Sequence, residues 1–375
     1  LIVFLFPVLG SAARQPVQRL ALVIGVSDGG PERTKLRYAT SDARAVSRVL
    51  NELGGLDADN TVVLEEPDLA QFGTAFADFA NRAQVARESG HRVEALLYYS
   101  GHSNETGLLF GERVYEYQSL RRAFGALAAD VRVAIVDSCS SGALTRSKGG
   151  RKSAPLVLDE SASVKGSAIL TSASATESAQ ESDSIGGSFF THYLVSGLRG
   201  AADTSEDGRV TLNEAYRFAY DETLRRTERT QAGAQHANYE FRLAGSGDLI
   251  LTDVSNTSAM LQLDRTLSGR LYLRDANGRL VVEVNKLPKR TLALGLEPGR
   301  YFITLSQPAR LLGGEVTVEN SATTLLRESD LRKLERERVT LRGDTQSDEP
   351  VEVYYGLEGE DYERRSFCLN FIPGI

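Results

Sequence analysis

Between residues 20 and 230 the chain repeats one pattern: a short apolar run, then a longer stretch whose apolar residues recur every three or four positions. The runs are Leu20–Val26, Thr61–Glu65, Val93–Ser100, Val131–Asp137 and Ser167–Thr171. The amphipathic stretches are Ser41–Leu53, Asp68–Glu88, Gln118–Ala128, Ser188–Leu198 and Thr211–Thr230. A strand that is apolar on both sides is stable only where both sides are covered, and a helix following each strand supplies the cover. The spacing therefore predicts an α/β fold, a mostly parallel sheet with helices on both faces. In such a sheet, ligands and reacting groups collect at the carboxyl ends of the strands.

From residue 255 onward the texture changes. The segments MLQLD, GRLYLRD, RLVVEV, TLALGL, GRYFITL and GEVTVEN are short and separated by Asn277-Gly278, Pro298-Gly299 and Gly313-Gly314. Strands at this spacing predict a small all-β, sandwich-like C-terminal domain. A short charged helix is expected over Ser329–Arg338, followed by a tyrosine-rich tail. With 375 residues there is room for two cores. The expected organisation is a signal-peptide remnant over 1–17, the α/β domain over 18–254, the β-rich domain over 255–345 and a tail over 346–375. The opening LIVFLFPVLGSAARQ joins an apolar core to the small residues Ser11-Ala12-Ala13, a secretory cleavage pattern, although a buried strand would use similar residues. Export to a periplasmic, cell-surface or extracellular location is expected, with further sequence beyond both ends. The apolar run is too short to span a bilayer, so no transmembrane helix is expected. The formal net charge of −7 argues against binding to nucleic acid or an anionic membrane.

Chemistry is sparse outside two strand ends. There are 4 histidines and 2 cysteines, too few for a disulfide framework or a zinc cluster. His102 follows the strand in YYSGHS, and Cys139 follows the strand in VDSCSSG. Both lie in loops of small residues, where backbone can approach a substrate and its N–H groups can stabilise an oxyanion. A reactive cysteine needs partial exposure and a nearby base, and two strand ends of one sheet supply both. His91, His192 and His236 read as structural.

YYSGHS and VDSCSSG resemble the paired motifs of caspase-like cysteine proteases, and SGH with DSC-x-SG is most similar to the metacaspase branch. The resemblance covers about residues 18–252, including LRYATSDARAVSRVL and GSFFTHYLVSGLRGAADTSEDGRVTLNEAY. It implies a cysteine endopeptidase in which His102 is the general base, Cys139 the nucleophile, and the N–H groups of Ser103 and Cys139 the oxyanion hole. Two positions depart from the family: Ser103 stands where glycine is usual, and Ser140 where many metacaspases have histidine.

Caspases select aspartate before the scissile bond with arginines, one of them six residues before an Asp-Ala pair; here that place is Leu36. The resemblance to metacaspases instead implies an acidic pocket formed by Asp42, Ser100 and Asp137, which would select Arg or Lys. Asp42 and Asp137 can also serve only to hold local backbone. The basic loop LTRSKGGRKSAP offers Arg146, Lys148, Arg151 and Lys152 as self-cleavage sites, with a plain solvated loop as the other reading. The segment DTSEDGRVTLNE has the spacing of a calcium loop, with candidate ligands Asp203, Ser205, Asp207, Arg209 (through its carbonyl), Thr211 and Glu214. An Asp-Gly turn with a helix cap explains the same residues. The hydrolysis needs no cofactor, so calcium enters only as a tuning ion. The expected partner is a protein or peptide substrate, and the partner of the β-rich domain is unassigned. Two rival readings are a catalytically silent caspase-fold scaffold, and an esterase or transferase using the same two residues.

Overall fold

The computed structural model describes residues 15–139, 141–145, 164–174, 177–245 and 248–335. Ser140, the four proposed self-cleavage residues, Cys368, the tail and all but the last three residues of the leader segment lie outside this set.

A six-stranded sheet organises the first part. Its strands are β1 (Val17–Val26), β2 (Thr61–Glu65), β3 (Arg92–Gly101), β6 (Val131–Asp137), β7 (Lys165–Thr171) and β11 (Asn238–Ala244). They lie in the order β11-β7-β6-β3-β1-β2. All neighbours are parallel except β11, which runs antiparallel along the edge of β7. The helices divide between the two faces. Helices α1 (Ala39–Leu53), α5 (Phe189–Ser196) and α6 (Leu212–Thr227) pack on Ala21, Val23, Leu96, Tyr98, Val133 and Ile135. On the opposite face, α2 (Leu69–Glu88) and α3 (Tyr117–Gly125) cover Leu22, Ile24, Leu97, Tyr99, Ala134 and Val136. Alternate residues of each strand thus enter separate cores, which is why the strands read as unbroken apolar runs.

Short elements complete this part. A hairpin of β4 (Gly107–Phe110) and β5 (Arg113–Glu116) follows β3, and the four-residue α4 (Gly142–Thr145) follows β6. Two-residue strands β8 (Glu181–Ser182) and β9 (Gly187–Ser188) form a hairpin before α5, while β10 (Arg209–Thr211) pairs with β12 (Ile250–Asp253). Among the described residues no helix is long and apolar enough to cross a membrane.

The remaining strands form two sheets around one core. A three-stranded sheet holds β13 (Ala259–Leu263), β16 (Leu292–Gly295) and β19 (Ala322–Leu326). A five-stranded sheet holds β14 (Gly269–Asp275), β15 (Leu280–Lys286), β17 (Gly299–Ser306), β18 (Leu311–Val318) and β20 (Arg332–Leu334). Leu261, Leu271, Leu273, Val282, Ile303 and Leu305 fill the space between them. The helix expected over 329–338 is corrected here: its described part is a short 3₁₀ turn at Glu328–Asp330 followed by β20. Beta-strand pairing overrides helix propensity there, because β20 completes the ladder beside β18 and Leu334 packs over the bare backbone of Gly313.

Candidate active site

The strand register brings the two motifs together. On neighbouring parallel strands, Ser100 stands opposite Asp137. His102 and Cys139 each lie two residues further on, past adjacent strand ends. Ser103 Oγ donates to the Cys139 carbonyl, joining the loop after the imidazole to the residue that carries the sulfur. Behind it, the Ser138 N–H donates to Ser172 Oγ at 3.1 Å.

His102 is half-buried and fixed on several sides. Its Nε2 lies 3.0 Å from the Thr34 carbonyl. A carbonyl only accepts, so Nε2 carries the proton and Nδ1 is left with a free lone pair. Tyr99 Oη donates to the His102 carbonyl at 2.8 Å and to the Leu109 carbonyl at 2.6 Å, setting the backbone. Gly29 lies against the ring, where an added Cβ would come within 2.4 Å of the imidazole. Sequence assigns no third side chain to orient His102 and leaves that part to the main chain; which carbonyl does it, here Thr34, has no side-chain signature.

Cys139 is partly buried, with Sγ 3.9 Å from the Ala179 carbonyl. Burial pushes its thiol above the ordinary value of 9.0, and burial lowers His102 below 6.5 although the Thr34 carbonyl opposes that change. In the turn after His102, the ladder bonds are made by Asn104 and Leu109, whose N–H groups donate to Gly107 and His102. Ser103 pairs with Leu108 between those two bonds.

Asp42, Ser100 and Asp137 are all buried. Ser188 spans the two carboxylates: its N–H donates to Asp42 at 3.1 Å and its Oγ donates to Asp137. Thr191 Oγ1 adds a bond to Asp137 at 2.6 Å, and Tyr98 Oη meets Thr191 at 2.6 Å. Burial holds both carboxyl groups above the ordinary 3.8, and the charge of Asp137 adds to the rise at Asp42. A third carboxylate was missed from sequence. Glu181 is only part-buried; it accepts the Arg37 N–H at 3.1 and 3.3 Å, and its charge acts on both His102 and Asp42. It comes near the two aspartates because β8 pairs with β9, placing Glu181 opposite Ser188. Two-residue strands carry no sequence period that could have revealed this.

The calcium-like loop closes on itself. Asp203 accepts N–H groups from Glu206, Asp207 and Gly208, and Ser205 Oγ also donates to it. Glu214 accepts from Thr204, Ser205 and Thr211 and forms a capping box with Thr211 at the start of α6. Asp207 accepts the Arg209 N–H. The carboxylates that would hold a cation are committed to the loop's own donors. Among the described residues no cluster of three or more His, Cys, Asp or Glu side chains is arranged for a metal. Asp203 thus closes the turn and Glu214 caps α6. Of the other histidines, His236 pairs with Glu177 at 2.7 Å and His192 is buried beside Glu283.

This is a class of site in which a histidine and a cysteine follow the ends of adjacent parallel strands, in loops joined by the Ser103–Cys139 hydrogen bond. The caspase domain of peptidase family C14 matches residues 18–243, and the chain belongs to that family of cysteine peptidases, which act on protein substrates. No curated protein matches the chain.

Proposed function

We propose that the protein is a cysteine endopeptidase that cuts after Arg or Lys. The observation that carries this reading is the geometry at the rim: Thr34 fixes the His102 tautomer, and Ser103 ties that loop to Cys139. With Nε2 protonated, Nδ1 takes the Cys139 proton as the sulfur attacks the scissile carbonyl. The N–H groups of Ser103 and Cys139 stabilise the oxyanion. His102 then returns the proton to the leaving amine as the C–N bond breaks, and water hydrolyses the thioester.

The pocket reading rests on sign. Among the described residues, Asp42 and Asp137 are buried carboxylates whose bonded partners include no cation, and Glu181 adds negative charge at the mouth. Such a pocket stabilises a guanidinium or ammonium and rejects an acidic side chain, because an unpaired buried charge costs several kcal/mol. A positional peptide library tests both parts: cleavage confined to peptides with Arg or Lys before the scissile bond, and lost in Cys139→Ala, is expected. Cleavage after Asp would overturn the pocket reading, and no Cys139-dependent cleavage would favour a silent scaffold.

Export is part of the same proposal and rests on the sequence of the leader alone; the location of the native protein in fractionated cells tests it.

A further inference from the structure

The sandwich meets the α/β part through buried charge. Glu283 on β15 is 1 % exposed and Glu222 on α6 is 4 % exposed. Arg270 on β14 pairs with both, at 2.7 Å from Glu283. Helix α5 packs on the same strands. Ser196 Oγ accepts the Glu283 N–H at 3.2 Å, and Tyr193 Oη accepts from Arg270 at 3.3 Å. His192 Nε2 stands 3.7 Å from Glu283 Oε2, both atoms buried. Burial alone would raise the Glu283 carboxyl, but His192 and Arg270 hold it at about 2.

Apolar residues of similar size would stabilise this interface as well or better, so a buried ion network is weak evidence for stability. Its geometry is specific, however. Its contacts on α5 run from His192 to Ser196, directly after Ser188 and Thr191, which bond Asp137 at the start of that helix. All eight residues of α5 are buried, so in a close-packed interior the helix moves as a unit.

We propose that Glu283 and Arg270 are positioning residues of the peptidase: by holding Tyr193 and His192 they set the placement of α5, and through it the fit of Asp137 to a cationic substrate side chain. The inference rests on the basic-pocket reading above. It gives the sandwich a part in catalysis rather than in docking.

The test uses the full chain and two peptides that differ only in carrying arginine or its uncharged isostere citrulline before the scissile bond. The readout is the ratio of their kcat/KM values, measured beside Tm. Glu283→Gln is expected to lower that ratio about tenfold, since small misplacements of a positioned group are costly. His192→Gln, which leaves the ion network in place, is expected to lower it in the same direction, and Arg270→Lys to retain most of it. Combined with Thr191→Val, Glu283→Gln is expected to be non-additive in the ratio. A fall in Tm with the ratio unchanged would make the network merely structural and overturn the inference. If Glu283→Gln does not fold, His192→Gln decides by the same criterion. A wild type that cleaves the two peptides equally removes the pocket reading, and this inference with it. A wild type that discriminates, with variants that discriminate equally, removes the inference alone.

Discussion

Burial acts in opposite directions on the two proposed catalytic groups, raising the Cys139 thiol and lowering the His102 imidazole. In the proposed mechanism both rest uncharged at neutral pH, and the proton moves during attack rather than before it. Protonated His102 cannot accept that proton, so kcat/KM is expected to rise with pH, reach half its maximum below 6.5 and stay level through neutrality. A half-maximum above 6.5 would contradict this assignment. Gly29→Ala pushes a methyl group into the imidazole and is expected to cut kcat about 100-fold with little change in Tm, read by steady-state kinetics beside calorimetry. Asp42 gives a stability prediction of defined sign. Its folded-state pKa is raised, so the folded state is favoured by protonation and loses stability as pH rises through that raised value. Asp42→Asn removes the cost, keeps an oxygen to accept the Ser188 N–H, and is expected to raise Tm by a few degrees at pH 8 and less at pH 4. The same change is expected to weaken cleavage after Arg about 100-fold, because it removes one side of a buried charge pair.

Among the elements, the start of α5 joins the most functions. Ser188 caps the helix by accepting the Thr191 N–H at 3.0 Å while bridging the two pocket carboxylates. Ser188→Ala is expected to destabilise the protein by about 2 kcal/mol, from a lost cap and an under-bonded buried carboxylate, as measured by urea unfolding. The main sheet was legible in sequence because strands buried on both faces are continuous apolar runs, and the helices because their faces are periodic. Val131–Asp137 was read with the bounds the structure gives it. The β8–β9 hairpin was not legible, since each strand has only two residues, and Glu181 went unread with it. The segment after residue 328 was misread because its charged residues favour helix locally, whereas its leucines serve the sandwich sheet.

In the whole molecule, the α/β part and the sandwich share side-chain contacts: Phe218 of α6 packs on both cores, and Arg199 reaches the Gly295 carbonyl at 3.0 Å. Sequence marked the change of texture near residue 255 but not this interface. Charged residues such as Glu283 and Arg270 read as surface until a fold buries them. His102 and Cys139 were legible as candidates because each ends an apolar strand in a loop of small residues, while their orienting contacts are main-chain and silent in sequence. The most direct test of the account is the intact mass of the protein after exposure to a peptidyl chloromethyl ketone with arginine at its reactive end. One adduct, mapped to Cys139 and absent in both Cys139→Ala and a sample blocked by excess Arg peptide, is the predicted result. A wild type that gains no mass, or gains it equally from an aspartyl reagent, would contradict the account.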